Sequence, residues 1–168
     1  MRILKQLDDP KERLQLLRRL DCLQCDARPE WGRMNAVQML EHLARAFELA
    51  LGERQAAARP SVLRGPLGRF GALYFPVRWK RGYPTLPEMD VLRGSASTAD
   101  FDQIKARVST LIRQFGEATP QQLAEQHPIF GRMSRRDWML WGYRHTDHHL
   151  RQFGCPATSS GAGNARAS

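Results

Sequence analysis

The chain has 168 residues, 42% of them hydrophobic, enough for one domain with a buried core. Its formal charge of +9 comes from 26 Lys and Arg against 17 Asp and Glu, scattered along the chain with no Lys/Arg block and no interleaving of basic and aromatic residues. That pattern argues against a nucleic-acid-binding module, and no apolar run approaches the roughly 20 residues of a membrane span.

The first stretch, "MRILKQLDDPKERLQ", has no apolar segment of the kind found in secretory signals. Three cysteines are an odd number for a disulfide framework, so the expected location is the reducing cytoplasm. Residues 10–24 place Leu14, Leu17, Leu20 and Leu23 at steps of three, with charges between them. An amphipathic helix is expected there, with Pro10 in its first turn. Asn35, with Gln38 three positions on, has the form of a capping box. It should open a second helix that runs to about Leu51 and stops at Gly52.

Residues 66–79 are apolar, contain two glycines and Pro76, and suggest a short helix. Residues 80–97, dense in Gly and Pro, read as a long connection of the kind that often borders a functional site. Phe101, Ile104, Val108, Leu111, Ile112 and Phe115 share one face of a third long helix. A short helix and a turn follow over 119–131, and Ser134 with Asp137 caps the last long helix, which Gly154 and Pro156 end. No repeat and no strand is expected. Residues 1–156 are thus expected to form a single all-α domain, a four-helix bundle, and 157–168 a disordered polar tail. A homodimer is compatible with this organisation, though no motif selects one.

The last helix holds the most informative chemistry. Within "YRHTDHHLRQFG", three of the five histidines fall at 145, 148 and 149. At roughly 100° per residue, His145 and His149 share the edge of an apolar arc with Trp138, Gly142 and Phe153. Arg144, Asp147 and Arg151 fall opposite. His148 falls roughly 60° away, at the solvent boundary, where it would tune neighbouring ligands without binding the ion itself. Gly142 is expected to leave room beside the pair. Two imidazoles at i and i+4 can chelate one divalent ion, and a third protein ligand is usual. His42 is the candidate, because it lies on the apolar face of the second helix with Met39, Ala46 and Leu49, away from Glu41, Arg45 and Glu48. The competing reading makes these histidines hydrogen-bonded core residues. His127, before a proline in "HPIFG", reads as structural. The CxxC in "DCLQCD", Cys22 and Cys25, lacks the βαβ setting of a thiol redox site and reads as a pair of ordinary cysteines; a Cys₂His₂ zinc site with His145 and His149 is the rival.

The segments "WGRMNAVQMLEHLARAF", "HPIFGRMSRRDW" and "YRHTDHHLRQFG" together resemble the DinB-like (YfiT-like) superfamily. The resemblance covers most of residues 28–154 and is most specific in the terminal H-x-D-H-H-L-R-Q-F-G. It implies a four-helix bundle in up-down-down-up order with a long crossover, and a metal triad of His42, His145 and His149. Characterised relatives include transferases or isomerases that use low-molecular-weight thiols, and metal-dependent hydrolases; many members have no known activity. The resemblance therefore leaves two classes open: a metal-dependent enzyme, or a non-catalytic binding or stress protein whose ion, if bound, is structural. Zinc, nickel, iron and manganese all accept imidazole, so the ligand set does not choose the ion.

Overall fold

The computed structural model describes residues 4–75, 77–82, 91–92 and 100–157. Five α-helices dominate the described residues: α1 Pro10–Asp21, α2 Ala36–Ala50, α3 Pro66–Tyr74, α4 Phe101–Glu117 and α5 Arg135–Gln152. The helix starts follow local chemistry. The Asn35 side chain accepts from the Gln38 N–H while the Gln38 amide oxygen accepts from the Asn35 N–H, closing the expected box. Ser134 and Asp137 close a second box at α5, and Asp100 caps α4 by accepting from the Gln103 N–H. Each such cap satisfies backbone donors that the first helical turn leaves unpaired and is worth ~1 kcal/mol.

Helices α1 and α2 each pack against both α4 and α5, and α3 packs on α5 and adds the fully buried Leu73 to the core. Contacts along α1 orient it. Near its start, the Leu7 N–H donates to Met139 O, while Arg13 reaches Glu117 at the end of α4. Near its far end, Lys105 from the start of α4 donates to the carbonyls of Asp21 and Leu23, and Arg19 pairs with Asp147 late in α5. The α2 helix packs on α4 most extensively, through Phe47 against Phe115. Full burial of a Leu or Phe side chain contributes about 1.5–3 kcal/mol, and the wholly enclosed set includes Leu16, Leu20, Met39, Phe47, Phe115 and Trp138.

Several expectations need correction. Helix α1 ends at Asp21, short of residue 24, and its buried stripe is Leu16, Leu17 and Leu20, whereas Leu14 is exposed. A strand pair also exists: Gln126–His127 (β1) and Gly131–Arg132 (β2) form a two-residue antiparallel hairpin, preceded by a 3₁₀ turn at Pro120–Gln122. Its turn, "PIF", is closed by Gly131 at φ +71°, a conformation that glycine adopts without steric cost. Glu48 does not point away into solvent. It is buried and held between Arg54 and Arg107 at 2.9 and 2.6 Å, and these partners keep its carboxyl below the usual carboxylate range although desolvation alone would raise it. Most of the expected 80–97 connection and nearly all of the 157–168 tail lie outside the described residues. No helix among the described residues is long and apolar enough to cross a membrane.

Candidate metal centre

Helix α5 carries His145 and His149 one turn apart, and α2 brings His42 against them. His42 Nε2 and His149 Nε2 each lie 3.2 Å from His145 Nε2. The three ligand atoms all fall within 4.8 Å of one another. Two ligands at 2.0–2.1 Å from a tetrahedral ion would be about 3.3–3.4 Å apart, so the two spacings to His145 suit a first-row metal, and the His42 and His149 rings close to the same spacing when an ion is held. His42 and His149 are buried, and His145 is partly so. Burial, followed by the neighbouring imidazoles, pushes both His145 and His149 well below the ordinary histidine value of 6.5. The pair is therefore neutral near pH 7 and has nitrogen lone pairs to offer.

The tautomer of His149 follows from a residue that the sequence pattern did not single out. The Gln152 amide nitrogen donates to the Trp31 carbonyl at 2.7 Å, so its Oε1 must face the other way. That oxygen lies 2.8 Å from His149 Nδ1 and accepts its proton. Nε2 is left unprotonated toward the cluster, the arrangement by which a hydrogen-bonded partner fixes a metal-binding imidazole. Gly32, at φ +84°, brings the Trp31 loop close: a Cβ there would meet the Gln152 amide nitrogen at 2.7 Å. The signal available in sequence was the i, i+3 placement of Gln152 after His149 on one helix face. His145 lacks such support, because its Nδ1 is buried with no hydrogen-bond partner.

The cluster forms part of the wall of a cavity of about 570 Å³. Trp31, Trp79, Phe130 and Trp141 supply much of the aromatic lining. Trp79 comes from the long connection after α3. Its indole N–H donates to Ala72 O at 2.9 Å, and Arg144 holds the preceding segment by donating to the carbonyls of Phe75, at 2.8 Å, and Val77. Arg144, expected to face away from the histidine pair, thereby holds the segment whose Trp79 ring stands 6.2 Å from that of His145.

Two local expectations fail here. Gly142 leaves no room for a ligand, because Phe115 already fills the space: a Cβ on Gly142 would lie 2.7 Å from the Phe115 ring and 3.4 Å from Leu7. The glycine allows α4 to approach α5. His148 is not turned to solvent either. It is half-buried, lines the cavity, and packs edge-on to Trp31 at 5.7 Å. Burial lowers it to about 4, and its Nδ1 is sealed without a partner. The expected structural role of His127 has a geometric basis: its Nδ1 accepts from the N–H groups of Ile129 and Phe130 at 3.0 and 3.3 Å, which shapes the hairpin turn. Cys22 and Cys25 are exposed and stand outside the histidine group, so no Cys₂His₂ site forms among the described residues.

Neither the curated proteins nor the solved structures contain a match to this chain. A protein-family model does match, over residues 8–153, and by that match the chain belongs to the DinB superfamily.

Proposed function

We propose that His42, His145 and His149 bind one divalent metal ion and that the protein is a metal-dependent enzyme of hydrolysis or group transfer. The observation that carries this reading is the convergence of three Nε2 atoms, those of His42 and His149 each 3.2 Å from that of His145, on the wall of a large apolar cavity. Three neutral imidazoles leave an ion its full charge and open coordination positions, the arrangement of catalytic rather than closed structural sites. When bound, the ion would supply Lewis acidity toward water, a thiol or a carbonyl oxygen. The residues themselves do the rest. Gln152 holds His149 in the ligating tautomer, and Trp79 and Phe130 give the cavity beside the cluster an apolar, aromatic wall. Either a low-molecular-weight thiol or a hydrolysable ester or amide is a substrate in keeping with this site.

The reading extends to chain direction and location. We take the bundle as up-down-down-up over a single domain of residues 1–156, and the cytoplasm as its place. Support for the order comes from side-chain pairs: α1 starts beside the end of α4 and beside the start of α5. On α2, Phe47 meets Trp141, while His42, a turn and a half earlier, meets His145 and His149 further along α5, so these two run opposite ways.

The test is a substrate screen on metal-free protein reloaded separately with zinc, nickel, iron and manganese, offering simple esters, amides and thiol-plus-electrophile pairs. Turnover that depends on the loaded ion and disappears in His145→Ala supports the proposal. Tight stoichiometric metal binding with no exchangeable ligand position, read by the absence of spectral change when azide is added to the cobalt-loaded protein, would assign the ion a structural role instead.

A further inference from the structure

His127 offers chemistry that shaping a turn does not use up. Its Nδ1 accepts two backbone N–H groups, from Ile129 and Phe130, so that nitrogen cannot carry a proton. The ring is pushed by burial down to about 3, and is therefore neutral near pH 7. A neutral imidazole with an unprotonated Nδ1 carries its one proton on Nε2. The ring is clamped in place by Phe130 at 4.9 Å, Trp141 at 5.4 Å and Trp138 at 5.5 Å. It also lines the same cavity as the histidine cluster. Among the described residues, the sealed and unpartnered buried polar atoms belong to Arg19, Arg144, His145 and His148, and Nε2 of His127 is not one of them. No described residue accepts its proton either. This N–H is thus reached from the cavity and left for whatever enters it.

Trp141 separates the two histidine environments, its ring 5.4 Å from that of His127 and 4.9 Å from that of His145. A ligand lying across that indole would meet a hydrogen-bond donor at one end and the histidine cluster at the other. We infer that His127 is a ligand-binding residue whose Nε2–H donates to a carbonyl or carboxylate oxygen, so that the cavity takes an apolar carbonyl or carboxylate compound and orients it toward the three histidines. Because its acceptor nitrogen is already occupied, His127 can only donate. Ligands that present a donor alone at this position are disfavoured, since a buried N–H would be left unmade. The inference rests on the proposed function only in that the metal would lie at the other end of the ligand; the donor itself is a property of the hairpin.

Two substitutions separate the roles of the ring. In His127→Asn, the amide oxygen can still accept from the turn, as Asn side chains do in local turns, but no N–H reaches into the cavity. In His127→Gln, an amide N–H can reach the position of Nε2 while the turn acceptor is lost. The experiment follows benzoate binding to full-length protein carrying ¹⁵N-labelled histidine, in metal-free and zinc-loaded forms, by the His127 side-chain resonances. The free protein should show an unprotonated Nδ1 and a proton on Nε2, and benzoate should move the Nε2–H signal downfield. His127→Asn should melt at the wild-type temperature yet bind benzoate at least tenfold more weakly, while His127→Gln keeps the affinity despite a lower melting temperature. A ring protonated on Nδ1, benzoate saturation without movement of Nε2–H, equal affinity in His127→Asn, or no binding of benzoate to either form would each overturn the inference. Zinc content, measured on the same samples, reports separately on the metal: benzoate that binds through His127 to a protein that takes up no zinc contradicts the proposed centre and leaves the donor standing.

Discussion

Cys22 and Cys25 lie three residues apart, and His145 and His149 four apart, and either pair could be taken from its spacing for part of a metal site. The histidines fall inside α5, where a separation of four keeps both rings on one face one turn apart. The cysteines fall where α1 has already ended: Asp21 is its last residue and Cys22 its cap, so no helical face joins the two. Both thiols are exposed, and the Cys22 thiol donates to Arg18 O at 3.3 Å. What separates the pairs is therefore the element that carries them and the partner opposite. Helix α2 sets His42 against the histidines, and nothing comparable faces the cysteines among the described residues.

The largest expected effect breaks the histidine side of this comparison. Replacing His42, His145 or His149 by Ala removes one of three ligands, and each variant should lose stoichiometric metal after dialysis; a variant that keeps one ion per chain removes that residue from the centre. A smaller effect sharpens the role of the supporting amide. Gln152→Leu takes away the acceptor that holds His149 in its ligating tautomer, and should weaken metal affinity by about 10–100-fold while leaving the chain folded. Isothermal competition with a chelator of known affinity measures it, and unchanged affinity would mean that the ring is held by packing alone.

Acid should separate the two regions further. In metal-free protein, His127 and His148 are lowered to about 3 and about 4, and His145 and His149 are also lowered, all by burial. Between those values and the ordinary 6.5, the unfolded chain binds more protons than the native one, so stability rises with pH up to about 6.5 and falls as pH drops below it. Denaturant midpoints from pH 7 to pH 4 should decline, and less steeply in His148→Ala; a flat profile would contradict neutral buried histidines. The smallest effect belongs to the cysteines. Cys22→Ser combined with Cys25→Ser should change neither metal content nor melting temperature appreciably, surface substitutions usually lying within about 0.5 kcal/mol. Loss of metal in that double variant would reinstate the Cys₂His₂ alternative.

Much of this was legible in the sequence because it depends on local periodicity and caps. The Asn35 and Ser134 boxes, the α4 face from Phe101 to Phe115 and the shared side of His145 and His149 all follow from helical geometry. The all-α class and the DinB superfamily were legible for the same reason, since the motifs sit on those faces. What sequence could not supply was tertiary. The single glycine Gly142 looks the same whether it opens a pocket or admits the Phe115 ring, and only the packing of α4 on α5 decides. His148 lies at the solvent boundary of an isolated helix, but the Trp31 and Trp79 segments, distant in sequence, cover it. The hairpin around His127 was missed because two residues per strand leave no alternation to read, and its turn is held by a histidine nitrogen rather than by an apolar pattern.

The measurement that tests the central claim most directly is X-ray absorption at the metal edge on full-length protein loaded with a single equivalent of zinc. The account predicts one ion per chain with three imidazole nitrogens at about 2.0–2.1 Å and one exchangeable oxygen ligand completing the shell, a pattern reduced to weak, heterogeneous scattering in His145→Ala. Sulfur scattering at about 2.3 Å, or a wild-type protein that retains no ion, would contradict it.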